Sequence, residues 1–133
     1  MLQAHLQQGK PAAHISHLRG PFGDRLASML QAAPPGVNIM SGYRSPERQT
    51  ELWNAALKKY GSVAAARKWV APPGHSNHNH GIAADLTFSS SAAKQWVHKN
   101  AAKYGLRFRM SHEGWHIEPI DAHGDDANWG RSA

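Results

Sequence analysis

Two short segments of this chain carry the residue types that hold a catalytic zinc ion and activate water beside it. A catalytic zinc usually takes three protein ligands from His, Asp, Glu or Cys and leaves a fourth position open. His78 and Asp85 can supply two ligands from the first segment, and His116 can supply the third from the second. Glu113, three residues before His116, is placed to act as a general base. Such a site could hydrolyse an amide bond.

The spacing of these residues alone does not establish that they form a metal site. A single His is more often structural than catalytic, and the chain has ten of them. Asp85 lies among apolar residues, so we expect a buried carboxylate, which needs a cation or several hydrogen-bond donors. Glu113 could instead be a solvated loop acid. Glu118 competes with Glu113 for the role of base, or for a contact behind the metal ligands.

The composition bounds the class of protein. A length of 133 residues with 41% hydrophobic residues and five Trp is typical of one globular domain. Cysteine is absent, so a metal would be held by His and carboxylates. We find no apolar run long enough to cross a bilayer and no secretory signal, and we therefore expect synthesis in the cytoplasm.

The balance of charged residues is basic. Fifteen Lys and Arg stand against nine Asp and Glu, which gives a formal net charge of +6. This charge favours an anionic partner such as nucleic acid, a membrane surface or a cell-wall polymer. A solvated basic surface without a partner is the alternative.

The first half of the chain is predicted to hold a helix, a strand and two further helices. Apolar spacing predicts a helix over residues 22–30, which the following Pro-Pro-Gly run ends. Alternation over residues 37–40 predicts a strand. Ser45, followed by a proline, predicts the start of a helix that Gly61 ends. A short Ala-rich helix is predicted from residue 62 to about 69.

The second half is predicted to alternate strands with one helix. Residues 82–88 predict a buried strand, and the serines after it can cap a helix that stops at Gly105. Residues 106–110 alternate apolar side chains with Arg, which predicts a strand with one exposed face. Residues 115–118 predict the last strand. From Asp121 the composition turns to Gly, Asp, Asn and Ser, which predicts a loose tail.

This order of elements predicts an α+β fold with a small, mostly antiparallel sheet flanked by helices. We expect a single domain over residues 1–133, with the motifs at about residues 20–119 and a loose tail at residues 120–133. We find no internal repeat.

Three motifs together resemble the VanY-like D-Ala-D-Ala carboxypeptidase and L-Ala-D-Glu endopeptidase family. Its members are zinc peptidases that cut the peptide stems of bacterial peptidoglycan. Two motifs are Ser-x-His-x-x-Gly-x-Ala-x-Asp at residues 76–85 and Glu-x-Trp-His at residues 113–116. The third is Ser-Gly-Tyr-Arg-Ser at residues 41–45, with Gln49 five residues beyond the Arg. The resemblance implies a Hedgehog/DD-peptidase-like fold.

The resemblance also implies roles for single residues. It implies that one Zn²⁺ is held by His78, Asp85 and His116, and that Glu113 is the catalytic base. Arg44 would stabilise the oxyanion of the tetrahedral intermediate, a task that suits a fixed guanidinium.

Other residues near the motifs have less defined roles. Ser76 and Gln49 are candidates for substrate binding, with a loop-stabilising Ser and an exposed helix Gln as the alternatives. His75, His80 and His112 do not match ligand positions of the family motif. We interpret these three histidines as residues behind the ligands or on the surface.

We therefore expect a zinc metallopeptidase that hydrolyses a bond of the peptidoglycan stem peptide. The small size and basic charge resemble those of phage lysins. This resemblance implies an L-Ala-D-Glu endopeptidase that acts as a monomer. It also implies that the enzyme reaches the periplasmic cell wall through a holin or in the virion. Anionic envelope polymers could attract its positive charge. The first alternative is a D-Ala-D-Ala carboxypeptidase or dipeptidase of bacterial origin.

A second alternative is a non-catalytic, zinc-bearing cell-wall binding module. The presence of both Glu113 and Arg44 argues against it, because binding alone needs neither. A nucleic-acid binder is the weakest alternative, because the aromatic residues follow core periodicity and do not form a stacking platform.

Overall fold

The computed structural model describes residues 2–7, 10, 12–111 and 113–130. The elements follow in chain order as a 3-10 helix (Leu2–His5), α1 (Ala13–Ser16), α2 (Gly20–Ala32), β1 (Val37–Ser41), α3 (Pro46–Tyr60), α4 (Val63–Ala66), β2 (Ala84–Phe88), α5 (Ser91–Asn100), a second 3-10 helix (Ala101–Tyr104), β3 (Leu106–Arg107) and β4 (His116–Pro119). Within the described residues, no helix has the length and apolar character needed to cross a membrane.

The described residues form four strands in the order β1-β2-β4-β3, and every neighbouring pair is antiparallel. Together with the surrounding helices this sheet confirms the predicted α+β fold. The register of β2 with β4 places Asp85 directly opposite His116. Two candidate metal ligands that lie far apart in the sequence therefore face each other across one pair of strands.

Helix α2 covers the sheet with the face that the sequence predicts. Phe22, Leu26, Met29 and Leu30 recur at helical spacing, and all four are buried. They pack in one core with the inward side chains of all four strands of the sheet and of α5, namely Val37, Ile39, Leu86, Ala93, Val97, Leu106 and Ile117. This core holds the strands that carry the candidate ligands.

The helix ends follow from local chemistry. The Ser45 hydroxyl accepts a hydrogen bond from the backbone N–H of Arg48 and caps α3, which begins at Pro46. Gly61 ends α3 with a left-handed φ of 79°. Ser90 caps α5 in the same way, by accepting from the N–H of Ala93.

Several element boundaries differ from the prediction. Strand β2 begins at Ala84 instead of residue 82, α4 covers only four residues, and the helix predicted to reach Gly105 changes to a 3-10 helix at Ala101. The strand predicted over residues 106–110 keeps only two residues. Beyond them Phe108 lies outside the strand, and its ring stacks on His98, with 3.9 Å between ring centroids.

The segment after residue 120 differs from the predicted loose tail, because residues 121–130 pack onto the domain. Asp121 forms an ion pair with Arg25 at 2.8 Å, and the Arg25 guanidinium lies 5.0 Å from the centroid of the Trp129 ring. Ala122 is buried. Small polar residues indicate a loop, but they do not reveal which distant side chains the loop will contact. Residues 131–133 lie outside the described part of the chain.

Candidate metal centre

Asp85, His116 and His78 form a buried cluster at one end of the sheet. Asp85 lies on β2, His116 on β4 and His78 in the turn-rich loop that precedes β2. One candidate ligand atom from each side chain can be chosen so that all three lie within 4.8 Å of one another. The two imidazole rings meet edge to face, with their centroids 4.9 Å apart. The predicted ligands are therefore brought together, and each is less than a tenth exposed.

The hydrogen bonds of the two histidines indicate which ring nitrogens face the cluster. His78 Nδ1 lies 2.7 Å from the carbonyl oxygen of Gly42, which can only accept, so Nδ1 carries the proton. His78 Nε2 then faces Asp85 Oδ1 at 3.3 Å. In His116, Nε2 bonds to Glu118 at 2.6 Å, and Nδ1 lies 3.2 Å from Asp85 Oδ1. Each ring thus bonds outward with one nitrogen and presents the other to Asp85.

These donors fit a zinc ion. Two imidazole nitrogens and one carboxylate oxygen are ligands that zinc accepts, and three protein ligands are typical of catalytic zinc sites. The outward hydrogen bonds to a carbonyl and a carboxylate are the contacts that normally orient histidine ligands. The residues present therefore suit the metal.

The electrostatics of the cluster favour a positive charge. Burial alone raises the pKa of the Asp85 carboxyl, but hydrogen bonds from His116 and His78 outweigh it and hold that pKa well below its ordinary value. Burial lowers the pKa of His116, whereas its bonds with Asp85 and Glu118 raise it, for a net pKa of about 9. The buried carboxylates thus stay charged and need a cation beside them, a need that a divalent metal also meets.

The loop that carries His78 depends on close backbone packing. The Ser76 hydroxyl accepts from the backbone N–H of His78, which fixes the turn before the ligand. Gly81 has a φ of 71°, and a Cβ atom there would lie 2.5 Å from the carbonyl oxygen of His17. A Cβ atom on Gly42 would lie 2.0 Å from the carbonyl oxygen of His14. Glycine is therefore required at both positions.

A β-bulge in β1 supplies a partner for Asp85 that the sequence analysis missed. The register of β1 with β2 shifts between Ile39 and Ser41, so one extra residue turns Ser41 toward Asp85. The Ser41 hydroxyl donates to Asp85 Oδ2 at 2.9 Å. Ser41 opens the motif at residues 41–45, and its polar side chain at a strand end is the only signal that could have indicated this role.

Arg44 lies beside the cluster and is held by Gln49. Arg44 Nη1 donates to Gln49 Oε1 at 3.1 Å, and its Nη2 lies 3.8 Å from Asp85 Oδ2. Gln49 is 1% exposed, and its Nε2 donates to the carbonyl oxygen of Ala71. The alternative of an exposed helix Gln is therefore wrong. The amide of Gln49 fixes the guanidinium.

Glu113 faces the same space as Arg44. The backbone N–H of His116 donates to the carbonyl oxygen of Glu113, so a tight turn connects the acid to the ligand. Arg44, Asp85 and Glu113 line the same cleft. Burial lowers the pKa of Arg44, and the carboxylates of Asp85 and Glu113 act against that shift.

A cleft of about 520 Å³ lies over the cluster. All seven residues that the sequence analysis proposes for the site line it, and the same walls carry two exposed tryptophans, Trp69 and Trp115. Two further cations, Arg67 and Lys68, contribute to the lining. The arrangement combines a metal-ligand set, an acid and a guanidinium at the floor of an open groove.

The other histidines near the motifs do not join the cluster. His75 and His80 each bond to one oxygen of Asp125, at 2.8 Å and 2.6 Å. Asp125 therefore connects both sides of His78 in the loop over residues 75–82 (the ligand loop) to the segment over residues 121–130 (the C-terminal segment). His112 lies outside the described residues. Glu118, proposed as an alternative base, is fully buried and bonds to His116.

Comparisons with known proteins agree with this geometry. The family model for VanY, D-alanyl-D-alanine carboxypeptidase, matches residues 17–120. The protein YodJ of Bacillus subtilis (strain 168) is 31% identical over 128 residues, which cover 78% of this chain and 46% of YodJ. The chain spans about half the length of the curated relatives it matches.

Two solved structures share the fold. The LdcB LD-carboxypeptidase, whose structure concerns peptidoglycan recognition, aligns with a TM-score of 0.74 and 27% identity, over 86% of this chain and 64% of its own. The D,D-pentapeptidase VanY from the VanB-type vancomycin resistance cassette was solved as a mutant in complex with Zn(II). It aligns with a TM-score of 0.63 and 27% identity, over 77% of this chain and 72% of its own. With its three motifs gathered in one cleft and the family match spanning most of its length, the chain belongs to the VanY family of D-alanyl-D-alanine carboxypeptidases.

Proposed function

We propose that this chain is a zinc-dependent peptidase that hydrolyses a peptide bond in the stem peptides of bacterial peptidoglycan. The observation that carries the proposal is the convergence of a buried His-Asp-His cluster with Glu113 and Arg44 in one cleft. A binding module needs the metal ligands but has no use for a cleft-facing acid and a fixed guanidinium. Membership of the VanY family supports the same substrate class.

In this proposal each side chain has a separate task. His78, Asp85 and His116 hold zinc, which supplies Lewis-acid chemistry by polarising a carbonyl and acidifying water. Glu113 accepts the proton of the attacking water and returns it to the leaving amine. Arg44, held by its bond to Gln49, donates hydrogen bonds to the oxyanion as charge develops there.

Two bonds of the stem peptide are candidates, and we propose the terminal D-Ala-D-Ala bond first. The family supports a carboxypeptidase, and the cations Arg44, Arg67 and Lys68 on the cleft walls suit a substrate that ends in a carboxylate. The L-Ala-D-Glu endopeptidase expected from the sequence is the second candidate. The cleft volume of about 520 Å³, with exposed Trp69 and Trp115 on its lining, supports this candidate because it offers space for peptide on both sides of the scissile bond.

Product analysis separates these candidates. Purified sacculi that carry pentapeptide stems are digested with the zinc-loaded protein, and the products are identified by mass spectrometry. Release of free D-Ala supports the carboxypeptidase, whereas a new amino terminus on D-Glu supports the endopeptidase. Absence of any new terminus, with a lysin of known activity as positive control, would contradict the proposed function.

We also propose that the chain acts at the bacterial cell wall. The formal net charge of +6 supports attraction to anionic envelope polymers. For the endopeptidase candidate, we propose a phage lysin that reaches the wall through a holin or in the virion. Cleavage between L-Ala and D-Glu detaches the stems from the wall, so lysis of host cells on co-expression with a holin, but not without one, is expected for that candidate; a carboxypeptidase that only removes the terminal D-Ala should not lyse the cells.

A further inference from the structure

Glu118 is a buried carboxylate directly behind one of the proposed metal ligands. It lies two residues after His116 on β4, so both side chains point to the same face of the sheet. Its side chain is 0% exposed, and Oε2 lies 2.6 Å from Nε2 of His116. A carboxylate at this depth needs compensating partners.

Both oxygens of Glu118 are occupied by donors from other parts of the chain. Asn77 Nδ2 donates to Oε1 at 3.0 Å, Arg109 Nε lies 3.2 Å from Oε1, and Arg109 Nη2 donates to Oε2 at 3.2 Å. A carboxylate that is engaged in this way is a poor general base for the reaction, because its lone pairs are already committed. An ion pair with Arg109 alone would not require the contact with His116.

The same network connects the two segments that carry metal ligands. Asn77 precedes His78 in the ligand loop, and its side chain also bonds to the carbonyl oxygen of Gly124 and to the backbone N–H of Asp126. Glu118 therefore receives one donor from the strand that carries His116 and another from the loop that carries His78. Movement of either segment would break a buried hydrogen bond.

We infer that Glu118 is a positioning residue: by accepting the Nε2–H of His116, it fixes the tautomer and ring orientation that direct Nδ1 toward Asp85 and His78. This inference rests on the proposed function, since it takes His116 as a zinc ligand. A carboxylate that bonds to a metal-ligating His orients the ring and raises its basicity. Removal of such a partner typically weakens metal binding by about 10-fold to 100-fold.

The first test needs no variant. Long-range proton–nitrogen correlation NMR on the zinc-loaded protein, with ¹⁵N-labelled histidine, distinguishes the two ring nitrogens of His116. We expect a protonated Nε2 and a metal-bound Nδ1. A metal-bound Nε2 would overturn the inference.

The second test measures zinc affinity by competition with a chromophoric chelator. We expect Glu118→Ala to bind zinc about 10-fold to 100-fold more weakly, and Glu118→Gln to lose less because its amide oxygen still accepts. Glu118→Gln has nearly the same shape, so it carries the test if Glu118→Ala fails to fold. The matched control is Glu51→Gln, an exposed acid on α3 that pairs with Arg48 and should leave zinc affinity unchanged.

The outcomes separate this inference from the proposed function. If the unaltered protein binds one zinc ion and His116→Ala abolishes binding, but folded Glu118→Gln and Glu118→Ala both bind within twofold of the unaltered protein, the inference alone is wrong. If the unaltered protein binds no zinc, the proposed function is wrong and the inference falls with it.

Discussion

At the scale of single residues, the two histidines that face Asp85 differ in which nitrogen they present. His78 is held by a backbone carbonyl through Nδ1, and His116 by a carboxylate through Nε2. The remaining nitrogens point at the same oxygen of Asp85, at 3.3 Å and 3.2 Å. The hydrogen bonds that each ring makes away from the cluster therefore set the orientation of the two histidines. The side chains around the cluster can be tested one at a time.

Replacement of Glu113 should separate catalysis from metal binding. Glu113→Gln keeps the size of the side chain but removes the proton acceptor, so we expect kcat to fall by about 10²-fold to 10⁴-fold while zinc content stays at one per chain. Stem-peptide hydrolysis and metal analysis are measured on the same sample. Glu47→Gln, an exposed acid in the first turn of α3, is the control. A Glu113→Gln protein as active as the control would show that another group is the base.

The contribution of Arg44 to catalysis should depend on the planar shape of its guanidinium as well as on its charge. Arg44→Lys keeps the charge but loses the planar donors that bond to Gln49, so we expect kcat to fall by about 10²-fold to 10³-fold with a smaller change in KM. Arg48→Lys, on the exposed side of α3, should behave as the unaltered protein. An effect confined to KM would instead assign Arg44 to ground-state substrate binding.

At the scale of elements, the site depends on how loops and strands meet. The bulge in β1 turns Ser41 toward Asp85, the β2–β4 register sets Asp85 against His116, and the ligand loop is tied to the C-terminal segment through Asp125. The family match ends at residue 120, so this last connection lies beyond the matched part of the chain.

The Asp125 connection predicts a local change in stability. Asp125→Asn removes the charge that bonds to His75 and His80, and exposed pairs of this kind contribute about 0.2–1 kcal/mol each. We expect faster amide hydrogen exchange in residues 75–82 and unchanged exchange in α2. Asp121→Asn breaks a pair that does not contact the ligand loop, and it is the matched control. Equal amide hydrogen exchange of residues 75–82 in both variants would contradict the proposal that Asp125 stabilises the ligand loop.

The sequence predicts features that arise from local chemistry and misses those that arise from distant contacts. The buried face of α2, the cap at Ser45 and the stop at Gly61 depend on neighbours within a few residues, and the structure has all three. The opposition of Asp85 and His116 depends on strand order, which spacing along the chain does not reveal. The packing of the C-terminal segment onto the domain depends on Arg25, which bonds to Asp121, 96 residues away in the sequence.

The same distinction between local chemistry and distant contacts applies to the candidate site. The motif resemblance named seven of the side chains that line the cleft, because the residue types and their spacing carry that information. It could not show that Gln49 is buried and bonds to Arg44, or that Glu118 supports His116, because both facts depend on packing.

At the scale of the whole molecule, the positive charge should affect encounter with the wall more than chemistry. Screening shortens the range of surface charges to about 10 Å at 0.1 M ionic strength. We expect hydrolysis of intact sacculi to slow several-fold between about 0.05 M and about 0.3 M salt, while hydrolysis of a small neutral stem peptide stays constant. The two rates are measured side by side. Equal salt sensitivity of both substrates would contradict charge-driven recruitment.

The central claim is that zinc held by His78, Asp85 and His116 makes this chain a peptidoglycan peptidase, and reconstitution of the chelated protein tests it most directly. The protein is stripped with a chelator, titrated with Zn²⁺ and assayed for new termini in pentapeptide muropeptides. We predict no hydrolysis without metal, full activity at one equivalent of zinc, and no recovery in Asp85→Asn, which should bind zinc much more weakly. Undiminished hydrolysis by the metal-free protein would contradict the account.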